Sequence, residues 1–134
     1  MNKMLLTLLI VVVFIGNLVA QVSPTTPKAA SVRITQGPEL ELAKEYLTII
    51  RWTTNNPGGT PDHFGIVHYG TDPNNLSQTA KSPIRLNPSH TSTIFRVRIQ
   101  ALKPATTYYY KVDSEDSRGS SDGVTSPVNK FTIP

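Results

Sequence analysis

The stretch from Leu102 to Val112, reading LKPATTYYYKV, constrains this chain more than any other, because it describes a corner between two strands of a β-sandwich. Leu102 and Pro104 close one strand, and Ala105, Thr106 and Thr107 supply the bend. Tyr108, Tyr110 and Val112 then alternate with Tyr109 and Lys111 at the period of a strand, so the first set faces a core and the second faces out. A tyrosine buried just past such a bend needs a partner for its hydroxyl, and a backbone group at the corner lies within reach. Tyr108 is the residue placed to do this. The corner specifies an architecture and no chemistry.

Residues 1–20 have a different character. Lys3 is followed by an apolar run from Met4 to Ile15, broken only by Thr7, and then by Gly16, Asn17 and the small Ala20. This is the pattern of a secretory signal peptide cleaved after Ala20. The apolar stretch is shorter than the roughly 20 residues a membrane-spanning helix needs, so no membrane span is expected after cleavage. The expected location is extracytoplasmic, either extracellular or periplasmic. Taking 20 residues from 134 leaves 114, enough for one domain. With no cysteine in the chain, packing alone must hold that domain together. Lys3 leaves with the leader, so 12 Lys and Arg face 9 Asp and Glu, a net charge of +3. Without any basic run, this balance excludes the usual signature of a nucleic-acid binder.

Gln21 to Ala30, with Pro24 and Pro27 among small polar residues, reads as a flexible linker. Beyond it, short alternating segments are punctuated by turn residues. Val32 and Ile34 alternate with Arg33 and Thr35 before Gly37 and Pro38, and Leu47 to Trp52 puts Ile50 and Trp52 opposite Ile49 and Arg51. The Asn, Pro and Gly residues between Thr53 and Pro61 make a loop, Phe64 to Tyr69 forms a third strand, and Leu76 to Lys81 a short edge strand. A weak segment surrounds Ile84 and Leu86. Phe95, Val97 and Ile99 alternate with Arg96, Arg98 and Gln100 up to the corner, and the last strand runs from about Pro127 to Thr132. Leu40 to Tyr46 (LELAKEY) has the composition of a short helical turn. Seven short strands make residues 31–134 an all-β sandwich.

Trp52 in the second strand, ITQGP at 34–38, IIRW at 49–52, VHYGTDPNNL at 67–76 and ALKPATTYYYKV at 101–112 together resemble a fibronectin type III domain, within that superfamily the amino-terminal domain of purple acid phosphatases. The resemblance covers residues 31–134 and implies a seven-stranded immunoglobulin-like sandwich of fibronectin type III topology. In purple acid phosphatases the two-metal hydrolysis belongs to a separate metallophosphoesterase domain that follows this one. None of that domain's metal motifs can be placed on this chain, so the resemblance implies no activity, no cofactor and no catalytic or metal-binding residue here. One alternative is a detached or truncated accessory domain of such an enzyme.

Four arginines and three apolar residues are the candidate interaction residues. If Val32, Ile34, Ile50, Trp52, Val97 and Ile99 point inward, Arg33, Arg51, Arg96 and Arg98 all point outward, and the resembled topology puts their strands side by side in one sheet. Four guanidinium groups on one face suit an acidic glycan, phosphate groups or the carboxylates of a partner protein, through forked hydrogen bonds. A solvated sheet surface is the plainer alternative. On the opposite sheet, Phe64, Ile66 and Tyr109 join His68 and Lys111 on a partly apolar outer surface, which is either a contact site or is covered by the Gln21 to Ala30 arm or the Leu76 edge strand. His63, His68 and His90 lack metal-ligand spacing and read as surface residues. The acidic loop VDSEDSRGSSDG, with Asp113, Glu115, Asp116 and Asp122, departs from the known calcium-loop pattern and reads as a solvated hairpin. No Ser, His and Asp arrangement for nucleophilic catalysis is discernible.

Overall fold

Backbone pairing in the computed structural model, which describes residues 26–134, produces two antiparallel sheets and no helix among the described residues. The strands are β1 (Ile34–Lys44), β2 (Leu47–Asn55), β3 (Asp62–Gly70), β4 (Gln78–Arg85), β5 (Ser92–Ile99), β6 (Thr107–Asp116), β7 (Ser121–Thr125) and β8 (Asn129–Thr132). One sheet has the order β1-β2-β5, and the other β4-β3-β6 with β7 and β8 both on the far side of β6. The expected leader, residues 1–20, lies outside the described residues.

Alternation decides which side chains meet between the sheets. β5 and β6 swap buried and more exposed residues with period two along their whole length. Ile50 and Trp52 from β2 and Phe95, Val97 and Ile99 from β5 face Val67 from β3 and Tyr108, Tyr110 and Val112 from β6, with Phe131 and Ile133 closing the end. Trp52 and Phe95 stack with centroids 5.3 Å apart, and Tyr108 stacks on Phe131 at 5.7 Å. Burying each large apolar side chain contributes about 1.5 to 3 kcal/mol. Gly65 of β3 faces this core, and a Cβ there would sit 2.9 Å from both Trp52 and Val97.

The corner has the geometry its sequence implies. Tyr108 is buried and its hydroxyl accepts a hydrogen bond from the Lys103 amide at 2.9 Å. Ala101 and Ala105 take left-handed backbone angles on either side of Leu102 and Pro104. The C-terminal segment finishes the corner, with Ile133 N–H donating to Thr106 O at 3.0 Å.

Four segments differ from the expectations. Leu40 to Tyr46 is not a helical turn: β1 runs through it to Lys44, because pairing with β2 satisfies its backbone and cross-strand partners outweigh local helix propensity. The segments around Leu76–Lys81 and Ile84 form one strand, β4, since an edge strand tolerates Pro83 and its missing N–H. The strands number eight because the last one starts earlier, at Ser121 inside the expected loop, and is broken after Thr125. There the Ser126 hydroxyl takes the hydrogen bond of the Val112 amide at 2.9 Å, so a side chain replaces one rung of the ladder. Finally, Thr26 to Ala30, at the end of the expected linker, lies as a strap on the β2–β3 loop. Gly59 N–H donates to Thr26 O and Ala29 N–H to Pro57 O, and a Cβ on Gly58 would overlap Pro27 O at 1.9 Å.

Candidate functional site

Three of the four candidate arginines converge. Arg51 on β2 and Arg96 on β5 are direct cross-strand partners, and Arg98 lies opposite Ile49 on the same outer face. They are not a bare cationic patch. Arg51 Nη1 donates to Glu39 Oε1 at 2.9 Å. Arg96 reaches across β2 to Glu41 with a two-bond fork, Nε to Oε2 at 2.9 Å and Nη2 to Oε1, which pushes its guanidinium pKa up. Both carboxylates come from β1, one of them from the segment whose composition suits a helical turn, which is why sequence reasoning overcounts the charge of this face. Ile94, 43 % exposed, sits beside these pairs in a shallow hollow of about 370 Å³. Arg98 has no carboxylate partner among the described residues. Arg33 stands apart: register shifts between Ile34 and Glu39 and the left-handed Gly37 displace the start of β1, so Arg33 lies at the seam with β7, near Gly123 and Val124.

The outer face of the other sheet is less apolar than its sequence suggests. Ile66 is on that face as expected but is 8 % exposed, a correction to its reading as a contact residue. Lys81, its cross-strand partner, lays its stem over the surface, sets its ammonium 4.6 Å from the Phe64 ring centroid and pairs with Glu115. His68 Nε2 is 2.8 Å from Asp113 Oδ2 on the next strand, and Arg85 is 3.6 Å from Asp62. Phe64, beneath Lys81, and Tyr109, between Gly70 and Lys130, are both half-buried.

His63 is not a loop residue on the surface. It is fully buried on β3, with Nδ1 2.8 Å from Asp122 Oδ2 and Nε2 3.0 Å from Gly58 O. Asp122 also accepts from Ser114 Oγ at 2.8 Å and lies 3.4 Å from Lys28 Nζ on the strap. Burial pushes the Asp122 carboxyl up, but hydrogen bonds from His63 and Ser114 and the charges of His63 and Lys28 outweigh it and hold the carboxyl below its ordinary value. Sequence separation hid this group, since Asp122 is 59 residues from His63. Ser, His and Asp therefore do meet, but in the wrong order for nucleophilic catalysis. The serine donates to the aspartate, and both imidazole nitrogens face oxygen acceptors, which leaves no base for the hydroxyl.

The acidic residues of the β6–β7 region do not converge. Asp113 turns to His68, Glu115 to Lys81, Asp116 to Arg118 and Asp122 to His63, each a separate contact. No group of three or more potential metal ligands occurs among the described residues.

Residues 36–133 match the family described as the purple acid phosphatase N-terminal domain. No curated protein matches the chain. Among solved structures, the sensor domain of the anti-sigma factor RsgI4 in Pseudobacteroides cellulosolvens is similar at a TM-score of 0.46 and 18 % identity, over 77 % of this chain and 87 % of that one.

Proposed function

The chain belongs to the purple acid phosphatase N-terminal domain family, and from that premise we propose that it is an exported, non-catalytic interaction module that docks on a partner protein through the outer face of β1-β2-β5. The observation that carries this reading is the setting of Ile94: an exposed aliphatic side chain beside two Arg–Glu pairs, one of them joined by two bonds. An apolar centre with ordered charged groups around it is the make-up of a contact surface, because the apolar part supplies burial and the charges set register.

A photo-crosslinking residue placed at Ile94, with a control at Lys130 on the other sheet, tests the reading in the organism that makes the protein. A discrete adduct from position 94 alone, lost when Arg51 is replaced by Glu, is expected. Equal adducts from both positions, or none from position 94, overturn it.

Family membership also favours a second reading, in which the partner is a metallophosphoesterase domain and this chain is its accessory. That reading expects GDxxY- and GNH-type metal motifs in the downstream reading frame, or a phosphoesterase that co-purifies with the domain. A frame without those motifs and an inactive purified complex remove it.

A further inference from the structure

Beside the Ile94 hollow, a second concavity of about 330 Å³ opens where the edge of β5 meets β4, lined by Ile49, Ser82, Pro83, Arg96 and Arg98. We propose that it is a subsite for an acidic saccharide, with Arg98 as the principal ligand of a carboxylate or sulfate group carried on the sugar ring. The proposal deepens the reading of this face as a contact surface by assigning a ligand class to one end of it.

Three observations carry it. Arg98, unlike Arg51 and Arg96 on this face, has no carboxylate partner among the described residues, so its fork is available to an incoming oxyanion at no cost in broken pairs. Arg96, whose Nε and Nη2 are taken by Glu41, keeps its Nη1 donors for a ligand. The backbone that carries Arg98 is also tied to the other sheet, because its amide donates to the Ser82 hydroxyl at 3.2 Å. The floor, Ile49 and Pro83, is aliphatic and matches the C–H face of a pyranose ring. No aromatic side chain lines the hollow, so a nucleic-acid base would have nothing to stack on. Its volume falls at the small end of ligand sites, roughly 300 to 1,000 Å³, which suits one or two sugar units.

Titration of the whole protein with uronate, sulfated and neutral oligosaccharides of equal length, followed by calorimetry and by amide chemical shifts, provides the test. At least one acidic series is expected to bind in a salt-dependent way and the neutral series not at all, and comparing the two acidic arms tells carboxylate from sulfate. Arg98→Ser should weaken binding about tenfold or more, while Arg33→Ser leaves it unchanged. Equal binding of the neutral series, an Arg98→Ser variant that binds like the parent, or failure of both acidic series overturns the subsite. The amides of Ile49, Ser82 and Arg98 in the unaltered protein give a readout that needs no variant: shifts confined to other residues also overturn it. The protein-docking reading is scored separately by the adduct at position 94, so either can fail alone.

Discussion

Gly65 and Trp52 set the distance between the two sheets. The indole Cη2 lies 2.9 Å from where the Cβ of any other residue at position 65 would have to be, closer than side-chain carbons pack, and the indole Nε1 is buried without a hydrogen-bond partner among the described residues.

Gly65→Ala should therefore destabilise the domain by about 1 to 3 kcal/mol through overpacking. Trp52→Phe removes one of the two atoms at 2.9 Å and leaves Val97 Cγ2 in place, so the double variant should lose only somewhat less than the two single variants added together. Urea unfolding of the four proteins measures the coupling. Strict additivity would show that the sheets part without resistance at this point. Trp52→Ala alone should cost about 3 to 5 kcal/mol.

Tyr108→Phe deletes the acceptor of the Lys103 amide while keeping the ring on Phe131. A loss of about 1 to 2 kcal/mol is expected, with little change in the denaturant slope. An unaltered unfolding midpoint would mean that water replaces the hydroxyl at the corner.

Asp122→Ala leaves the buried His63 and Ser114 without their shared acceptor. The expected loss is about 3 to 5 kcal/mol, because the remaining groups keep their desolvation cost. Asp122→Asn retains an acceptor oxygen and should lose less, and Lys28→Ala, which removes a partly exposed partner, should lose under about 1 kcal/mol. Equal effects of all three changes would contradict the burial of this group.

Asp116 links stability to acid. Hydrogen bonding from the Arg118 side chain and from the Ser120 and Arg118 amides lowers its carboxyl from 3.8 to about 2. A carboxyl depressed in the folded state adds stability that is fully present above its unfolded value and disappears as pH falls through the folded one. The β6–β7 turn should thus loosen between pH 3.8 and about 2. The Gly119 amide, which donates to Asp116 O at 3.0 Å, should lose exchange protection over that interval. In an Arg118→Ala variant the same change should begin at higher pH; a parent carboxyl that titrates at 3.8 contradicts the argument.

Segments whose period comes from a two-sided environment were legible in the sequence. β2, β5 and β6 each present one face to the core, and Tyr108, Tyr110 and Val112 point where their spacing says. Elements settled by distant partners were not. LELAKEY carries local helix propensity, and only the arginines of β2 and β5 explain why Glu39, just before it, and Glu41, within it, are acidic. His63 sits next to a loop-forming stretch, and its burial depends on an aspartate two strands away. The outer face of β1-β2-β5 was legible as a set of arginines, but its charge was overestimated, and the exposure of Ile66 depends on where the stem of Lys81 lies.

The strap at Thr26 to Ala30 and the C-terminal residues occupy opposite poles of the sandwich. Thr26 is tied to the loop that enters β3, whereas Pro134 O accepts from Ala105 N at the turn that enters β6, and β3 and β6 run antiparallel. A nine-residue strand such as β3 spans about 30 Å, which is then the distance the chain crosses from one pole to the other. Tension applied through the two ends acts along the strands and shears the ladder bonds together instead of peeling them apart singly.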